Sequence, residues 1–266
     1  MGEVKYPDMD PEAVASLRRA LGRVDGLQAR LVVAARPGPV GSSLAAVDDA
    51  LPQARFVSIH AIQGVSAALD HLLAWRLLMH GPLVPLHAPM TLLRGTLEGA
   101  VRCRWLVDGD LDTVTRVARG YSAKRDDYLQ RRRFEESRER LDDEKGRPAR
   151  MASTGKSASE RLVELEGWRL DAKIPVVAFT DTTALMKAYR LERWFRLASA
   201  AAHGKEWVLA AADNERRLDT SAPGVAHGIF SARDDVLLAL TVVAVDAVER
   251  AVVDFEAYIS MPRSGQ

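Results

Sequence analysis

The residues best suited to chemistry sit in one Ala-rich stretch, Trp194-Phe195-Arg196-Leu197-Ala198-Ser199-Ala200-Ala201-Ala202-His203-Gly204. At about 100° per residue, a helix over this run brings His203 to within about 20° of Arg196, two turns away, with Ser199 between them on the same broad face. One helix would therefore offer a cation, a hydroxyl and an imidazole side by side. Gly204 stands where such a helix would end. A second group is the ladder Arg94, Glu98 and Arg102, each four residues from the next. It reads either as solvated i,i+4 pairs or as a carboxylate held between two guanidiniums at the rim of a cavity. Beside this ladder run Gly95, Gly99 and Cys103, a small-residue face that predicts close approach of another helix, because glycine otherwise costs about 1 kcal/mol per helical site.

A third group, His60, Gln63, Asp70 and His71, falls within about 100° around the axis of an otherwise apolar helix. Either the stripe faces solvent or it meets Arg94, Glu98 and His203 across a polar cleft of the kind in which helical proteins hold ligands. His60 and His71 are three turns apart, too far to share one ion, and no metal or cofactor site is expected.

The elements that must carry these groups are helices. Asp10-Pro11-Glu12 opens the first, with apolar spacing at Val14, Leu17, Leu21, Val24 and Leu27, and Pro37 to Gly41 breaks it. Ser42-Ser43 caps a short helix to about Asp49. Long helices are expected from about Ala54 to His80, closed by Gly81 and Pro82, from Pro89 to Asp108, and over the charged segment 111–145. A further helix follows Ser157 or Ser159. Ile174–Phe179 is the one strand-like run, too isolated to make a sheet. Thr180 or Asp181 starts a helical region to His203, bent near Arg190. A polar loop spans 211–230, and the final helix starts at Ser231 in a capping-box-like sequence and ends near Tyr258. The expected fold is therefore all-α, a multi-helix bundle of long antiparallel helices within one domain over 1–266, with a charged and mobile insertion around 120–158.

Composition narrows the function. The chain has 266 residues and a formal charge of +1, so no general pull toward nucleic acid or anionic membrane exists and any such affinity must be local. Segment 111–150 has twelve Lys or Arg against nine Asp or Glu, a modest footing for RNA phosphates, and Tyr121 and Tyr128 on one face could stack bases. Arg outnumbers Lys 30 to 7, more simply explained by a GC-rich genome than by selection for phosphate forks. Cys103 is alone, which excludes an internal disulfide and fits a reducing compartment. The N-terminus lacks a signal peptide's apolar region, and the longest apolar run, Val236–Val245, is far short of the ~20 residues of a membrane span. A cytoplasmic protein with no membrane partner is expected. HExxH, P-loop, GxSxG, GxGxxG and CxxC are all missing, and the magnesium-binding motif and aromatic cavity of terpene synthases have no counterpart here.

The Arg196-x6-His203 spacing resembles the outer limit of the Arg-x4-6-His motif of HEPN-domain proteins, helical bundles that include ribonucleases of defence and toxin systems. The pairing of Arg94-Gly95-Thr96-Leu97-Glu98-Gly99-Ala100 with Trp194 to Gly204 also resembles uncharacterised bacterial helical proteins that carry an RxxxE helix and an aromatic-x-Arg-x-x-Ser-x-x-x-His-Gly helix. This second likeness covers about residues 54–210 and implies no known activity. The HEPN likeness implies metal-independent RNA cleavage, in which His203 exchanges protons with the ribose 2′-hydroxyl or the leaving 5′-oxygen, Arg196 holds the scissile phosphate and Ser199 orients it. It also implies a homodimer, since such sites are commonly composite. Leu197 departs from the pattern, because HEPN ribonucleases commonly carry a polar residue after the arginine. The competing expectation is a non-enzymatic bundle that binds a small ligand or a protein partner through a cleft lined by Arg94, Glu98, Arg102, His60, Gln63 and His71.

Overall fold

The computed structural model describes residues 11–35, 43–79, 87–144, 156–179, 181–205, 214–218, 227–231 and 234–260. They form nine α-helices: α1 (Pro11–Ala35), α2 (Leu44–Asp48), α3 (Arg55–Leu78), α4 (His87–Leu106), α5 (Thr113–Glu144), α6 (Ala158–Asp171), α7 (Thr182–Ala188), α8 (Glu192–Ala202) and α9 (Asp234–Ser260). The all-α, multi-helix class is as expected. One addition lies in the stretch read as a polar loop, where β1 (Asn214–Leu218) and β2 (His227–Ser231) pair as an antiparallel hairpin. Ser231 closes β2, and α9 starts three residues later at Asp234.

Local chemistry accounts for the boundaries. The Ser43 hydroxyl accepts from Ala46 N at the start of α2, Ser157 and Glu160 form a full capping box on α6, and the Asp181 carboxylate accepts from Thr183 N and Ala184 N. Residues 174–179 carry no strand. The expected bend near Arg190 is a break between two helices, at which Arg190 adopts φ 59°. Asp10, Pro37–Gly41, Gly81, Pro82 and Thr180, read as caps and breakers, lie outside the described residues.

The chain divides into two compact units. The first comprises Met1–Pro37, Ile62–Trp105 and Asp181–Glu256. Its helices α3 and α4 run antiparallel and touch backbone to backbone. A Cβ placed on Gly99 would lie 2.3 Å from the Gly64 carbonyl oxygen, and one on Gly64 2.9 Å from the Gly99 carbonyl. The small-residue face of α4 thus does what its spacing predicts, and Gly64 of α3 is the partner that sequence reasoning left unnamed. Helix α9 packs on both: Trp75 Nε1 donates to Thr241 Oγ1 at 3.1 Å and the Cys103 thiol to the Ala251 carbonyl at 3.6 Å, each group buried. Burial pushes the Cys103 thiol far above its ordinary range, with the Asp254 carboxylate adding to the shift. Helix α1 buries Val14, Leu17, Leu21, Val24 and Leu27 as its spacing required. Arg23 pairs with Asp246 and Glu249 of α9, and Arg30 with Glu256.

Helix α3 is, among the described residues, the one helix long and apolar enough to cross a bilayer, at 24 residues. Val57, Ala61, Val65, Ala68, Leu72 and Trp75 are fully buried at steps of three and four, which marks one face of a helix turned into protein.

The second unit comprises Gly38–Ala61, Leu106–Thr180 and Ala257–Gln266. Its core joins Phe56, Val117, Ala118, Tyr121, Tyr128, Leu165 and Ile174. Tyr121 and Tyr128 are therefore packing residues, unavailable to stack bases, and Tyr121 meets Phe56 edge to face at 5.6 Å. Residues 120–144 are part of the continuous helix α5, whose Glu135 accepts from Ala158 N of α6. At the centre lies a fully buried pair. Arg116 donates from Nε and Nη2 to the two Asp48 oxygens at 2.7 and 2.9 Å, and from Nη1 to the carbonyls of Leu111 and Asp108. The Tyr258 hydroxyl donates to Asp48 at 3.1 Å. Burial and the Asp48 charge together push the Tyr258 phenol far above its ordinary range.

Two consequences are measurable. Gly99→Ala should destabilise by about 1–3 kcal/mol through overpacking, and Gly99→Leu by more. Gly26→Ala on α1, where nothing lies within 4 Å, should instead stabilise by up to about 1 kcal/mol. Urea titrations of the three variants decide it, and a neutral Gly99→Ala would contradict the crossing. The folded chain also holds the Tyr258 proton that the unfolded chain releases near pH 10, so this contribution to stability is present below about pH 10 and is lost as pH rises, at about 1.4 kcal/mol per pH unit. Tyr258→Phe should be less stable at pH 8, yet show an alkaline decline shallower by about one proton.

Candidate functional site

The imidazole of His203 is placed by the way α8 ends. His203 is the C-cap residue, Gly204 takes φ 62°, Gly204 N donates to the Ala201 carbonyl at 3.0 Å and Lys205 N to the Ala200 carbonyl at 2.9 Å. This is a Schellman motif, which needs a residue tolerant of positive φ at the position Gly204 occupies. It leaves the His203 side chain exposed.

Helix α4 supplies the residues that meet it. Arg94 Nη1 lies 3.3 Å from His203 Nε2, and Arg94 Nη2 lies 3.1 Å from Glu98 Oε1. The guanidinium carbon also sits 5.5 Å from the centre of the Phe195 ring. A guanidinium only donates, so in this contact His203 Nε2 is the acceptor and Nδ1 carries the proton. Arg94 and Glu98 are 29% and 27% exposed, too sheltered for a freely solvated ladder and open enough to be reached. Behind them His71 of α3 lies against the bare backbone of Gly95, where a Cβ would fall 2.5 Å from its Nε2. One turn before Arg94, Thr91 donates to the His87 carbonyl, and His87 Nδ1 lies 2.6 Å from the Ala201 carbonyl.

The expected catalytic face is divided. Arg196 is 64% exposed and turns back along α8 to pair with Glu192 at 2.8 Å, away from His203. Exposed pairs of this kind are worth about 0–1 kcal/mol, so an anion could recruit Arg196 at little cost. Ser199 is half-buried, and its carbonyl accepts the His203 backbone N–H. Of the expected cleft residues, Arg94 reaches α8 and pairs with Glu98, and His71 lies against the neighbouring Gly95. Gln63 is exposed, Arg102 sits with its Cβ 3.8 Å from a Cβ on Gly64, and His60 belongs to the other compact unit. Among the described residues no cluster of three or more His, Cys, Asp or Glu side chains could hold a metal ion.

Sequence reasoning missed His87 and Phe195. Phe195 is buried and supplies the ring under Arg94. His87 lies one turn and two turns ahead of Thr91 and Arg94 on one face of α4, a spacing that would have identified it had the helix been started two residues earlier than Pro89.

Compared with known proteins, the chain matches no family model, no curated protein and no solved structure.

Proposed function

We propose that the chain is an HEPN-like helical protein that binds RNA and cleaves it without a metal ion, using the surface where α4 meets the end of α8. The observation that carries this reading is the exposed His203 imidazole held 3.3 Å from the Arg94 guanidinium. An arginine and a histidine at this separation can share one phosphodiester. A phosphate oxygen is a better partner for a guanidinium than a neutral imidazole is, because the hydrogen bond is then assisted by charge on both sides. An incoming phosphate would therefore take Arg94 and release His203 Nε2 for proton transfer. Glu98 and Phe195 hold Arg94 in place meanwhile. Arg196, freed from Glu192, would add a second cation as charge builds on the phosphorus oxygens. In this reading the chain works as a homodimer, as the family resemblance implies.

The second reading, a bundle that binds a small ligand or a partner protein without catalysis, is favoured by one contact: Arg196 is turned toward Glu192. One experiment separates the two. Purified protein should cut members of a mixed RNA panel in the presence of EDTA. His203→Ala should slow cutting by about 10²- to 10⁴-fold with an unchanged thermal midpoint, and Arg94→Ala should weaken both cleavage and RNA affinity. An uncut panel, together with a His203→Ala variant altered only in melting temperature, would replace the nuclease with the binding bundle.

A further inference from the structure

A phosphodiester cleaved by its own 2′-hydroxyl needs two proton transfers, one from the attacking oxygen and one to the leaving oxygen. His203 can perform only one of them at a time. We infer that His87 performs the other, which makes α4 and α8 a two-histidine site; this rests on the ribonuclease reading above.

The geometry of His87 carries the inference. A carbonyl oxygen only accepts, so the 2.6 Å contact between His87 Nδ1 and the Ala201 carbonyl places the proton on Nδ1. Nε2 of the neutral ring then bears the lone pair, the tautomer of a proton acceptor. Ala201 is two residues from His203, so the same Schellman turn that presents His203 also anchors His87. The ring is exposed, and it lines an open cavity of about 690 Å³ together with Thr91, Leu77, Leu78 and Leu92. That volume is in the range of small-molecule sites, and aliphatic walls with a hydroxyl and an imidazole suit a nucleobase and its ribose. His87 and Arg94, seven residues apart, share one face of α4 about 10 Å apart along its axis. A nucleoside in the cavity would thereby have its 3′-phosphate directed toward Arg94 and His203.

His87 Nε2 takes the 2′-hydroxyl proton while the 2′-oxygen bonds to phosphorus. The bond from phosphorus to the 5′-oxygen breaks, and that oxygen takes a proton from His203, which enters as the imidazolium once the phosphate has taken over Arg94. The products are a 2′,3′-cyclic phosphate and a 5′-hydroxyl, and water returns both histidines to their starting states.

The test compares an RNA oligonucleotide that the protein cuts with the same oligonucleotide carrying sulfur in place of the bridging 5′-oxygen, a leaving group that departs without a proton. His87→Asn keeps a donor for the Ala201 carbonyl and removes the basic nitrogen, whereas His203→Gln keeps an acceptor for Arg94 and removes the acid. Both should cut ordinary RNA about 10²- to 10⁴-fold more slowly than wild type. Sulfur should restore His203→Gln to near the wild-type rate and leave His87→Asn defective, a split that a merely structural role would not produce. Wild-type rates from His87→Asn on ordinary RNA, or equal rescue of both variants by sulfur, would overturn the role of His87 while leaving the nuclease standing. A wild-type protein inert toward both substrates would overturn the ribonuclease reading and this inference with it.

Discussion

The first unit depends on the contact of two backbones. Where Gly64 meets Gly99, neither residue has room for a side chain, and α3 and α4 meet backbone to backbone. The contact sets the position of α4 along α3. His71 consequently falls on Gly95, Cys103 reaches the Ala251 carbonyl, and the outward edge of α4 with His87, Thr91, Arg94 and Glu98 is presented to α8. Glycine in a helix is a local cost, and here the cost is recovered in packing that no larger residue would allow.

The second unit is organised around charge instead. Asp48 and Arg116 are fully buried, and such a pair is tolerable only when every donor and acceptor finds a partner. The Leu111 and Asp108 carbonyls accept from Arg116 Nη1, and the Tyr258 hydroxyl donates to Asp48. An apolar trio of equal volume could be as stable, but it would lack the directionality that ties α2, the start of α5 and the end of α9 to one geometry. The site on α4 and α8 is the opposite case: its charged groups are a quarter exposed or more, their contacts are individually weak, and they are free to exchange partners with a ligand.

Buried and exposed polar groups thus play different parts in the two units. The buried phenol and guanidinium, Tyr258 and Arg116, direct their hydrogen bonds to Asp48 and to two backbone carbonyls and serve the protein's architecture. His87 and His203 are instead exposed, and each is oriented by a single contact: His87 through Nδ1 to the Ala201 carbonyl, His203 through Nε2 to Arg94. Anchoring through one nitrogen selects the tautomer at the other, so the orientation of two histidines follows from a helix end and one arginine.

Much was legible in the sequence because it depends on neighbours in the chain. Helical periodicity placed α1, α3, α4 and the body of α9, the caps were narrowed to Ser43, to Ser157 or Ser159 and to Thr180 or Asp181 because such side chains reach their own backbone, and Gly204 marked the end of α8 because its turn requires positive φ. The i,i+4 spacing of Gly95 and Gly99 announced a close helix neighbour. The identity of that neighbour, Gly64, was not legible, since helices 35 residues apart in the chain carry no record of their register. For the same reason the sequence could not show that Arg94 rather than Arg196 reaches His203, that Tyr121 and Tyr128 are core residues, or that Asp48 meets Arg116 and Tyr258. Rotation about a helix axis follows from residue type and spacing; which surfaces then face each other is decided only when the helices pack.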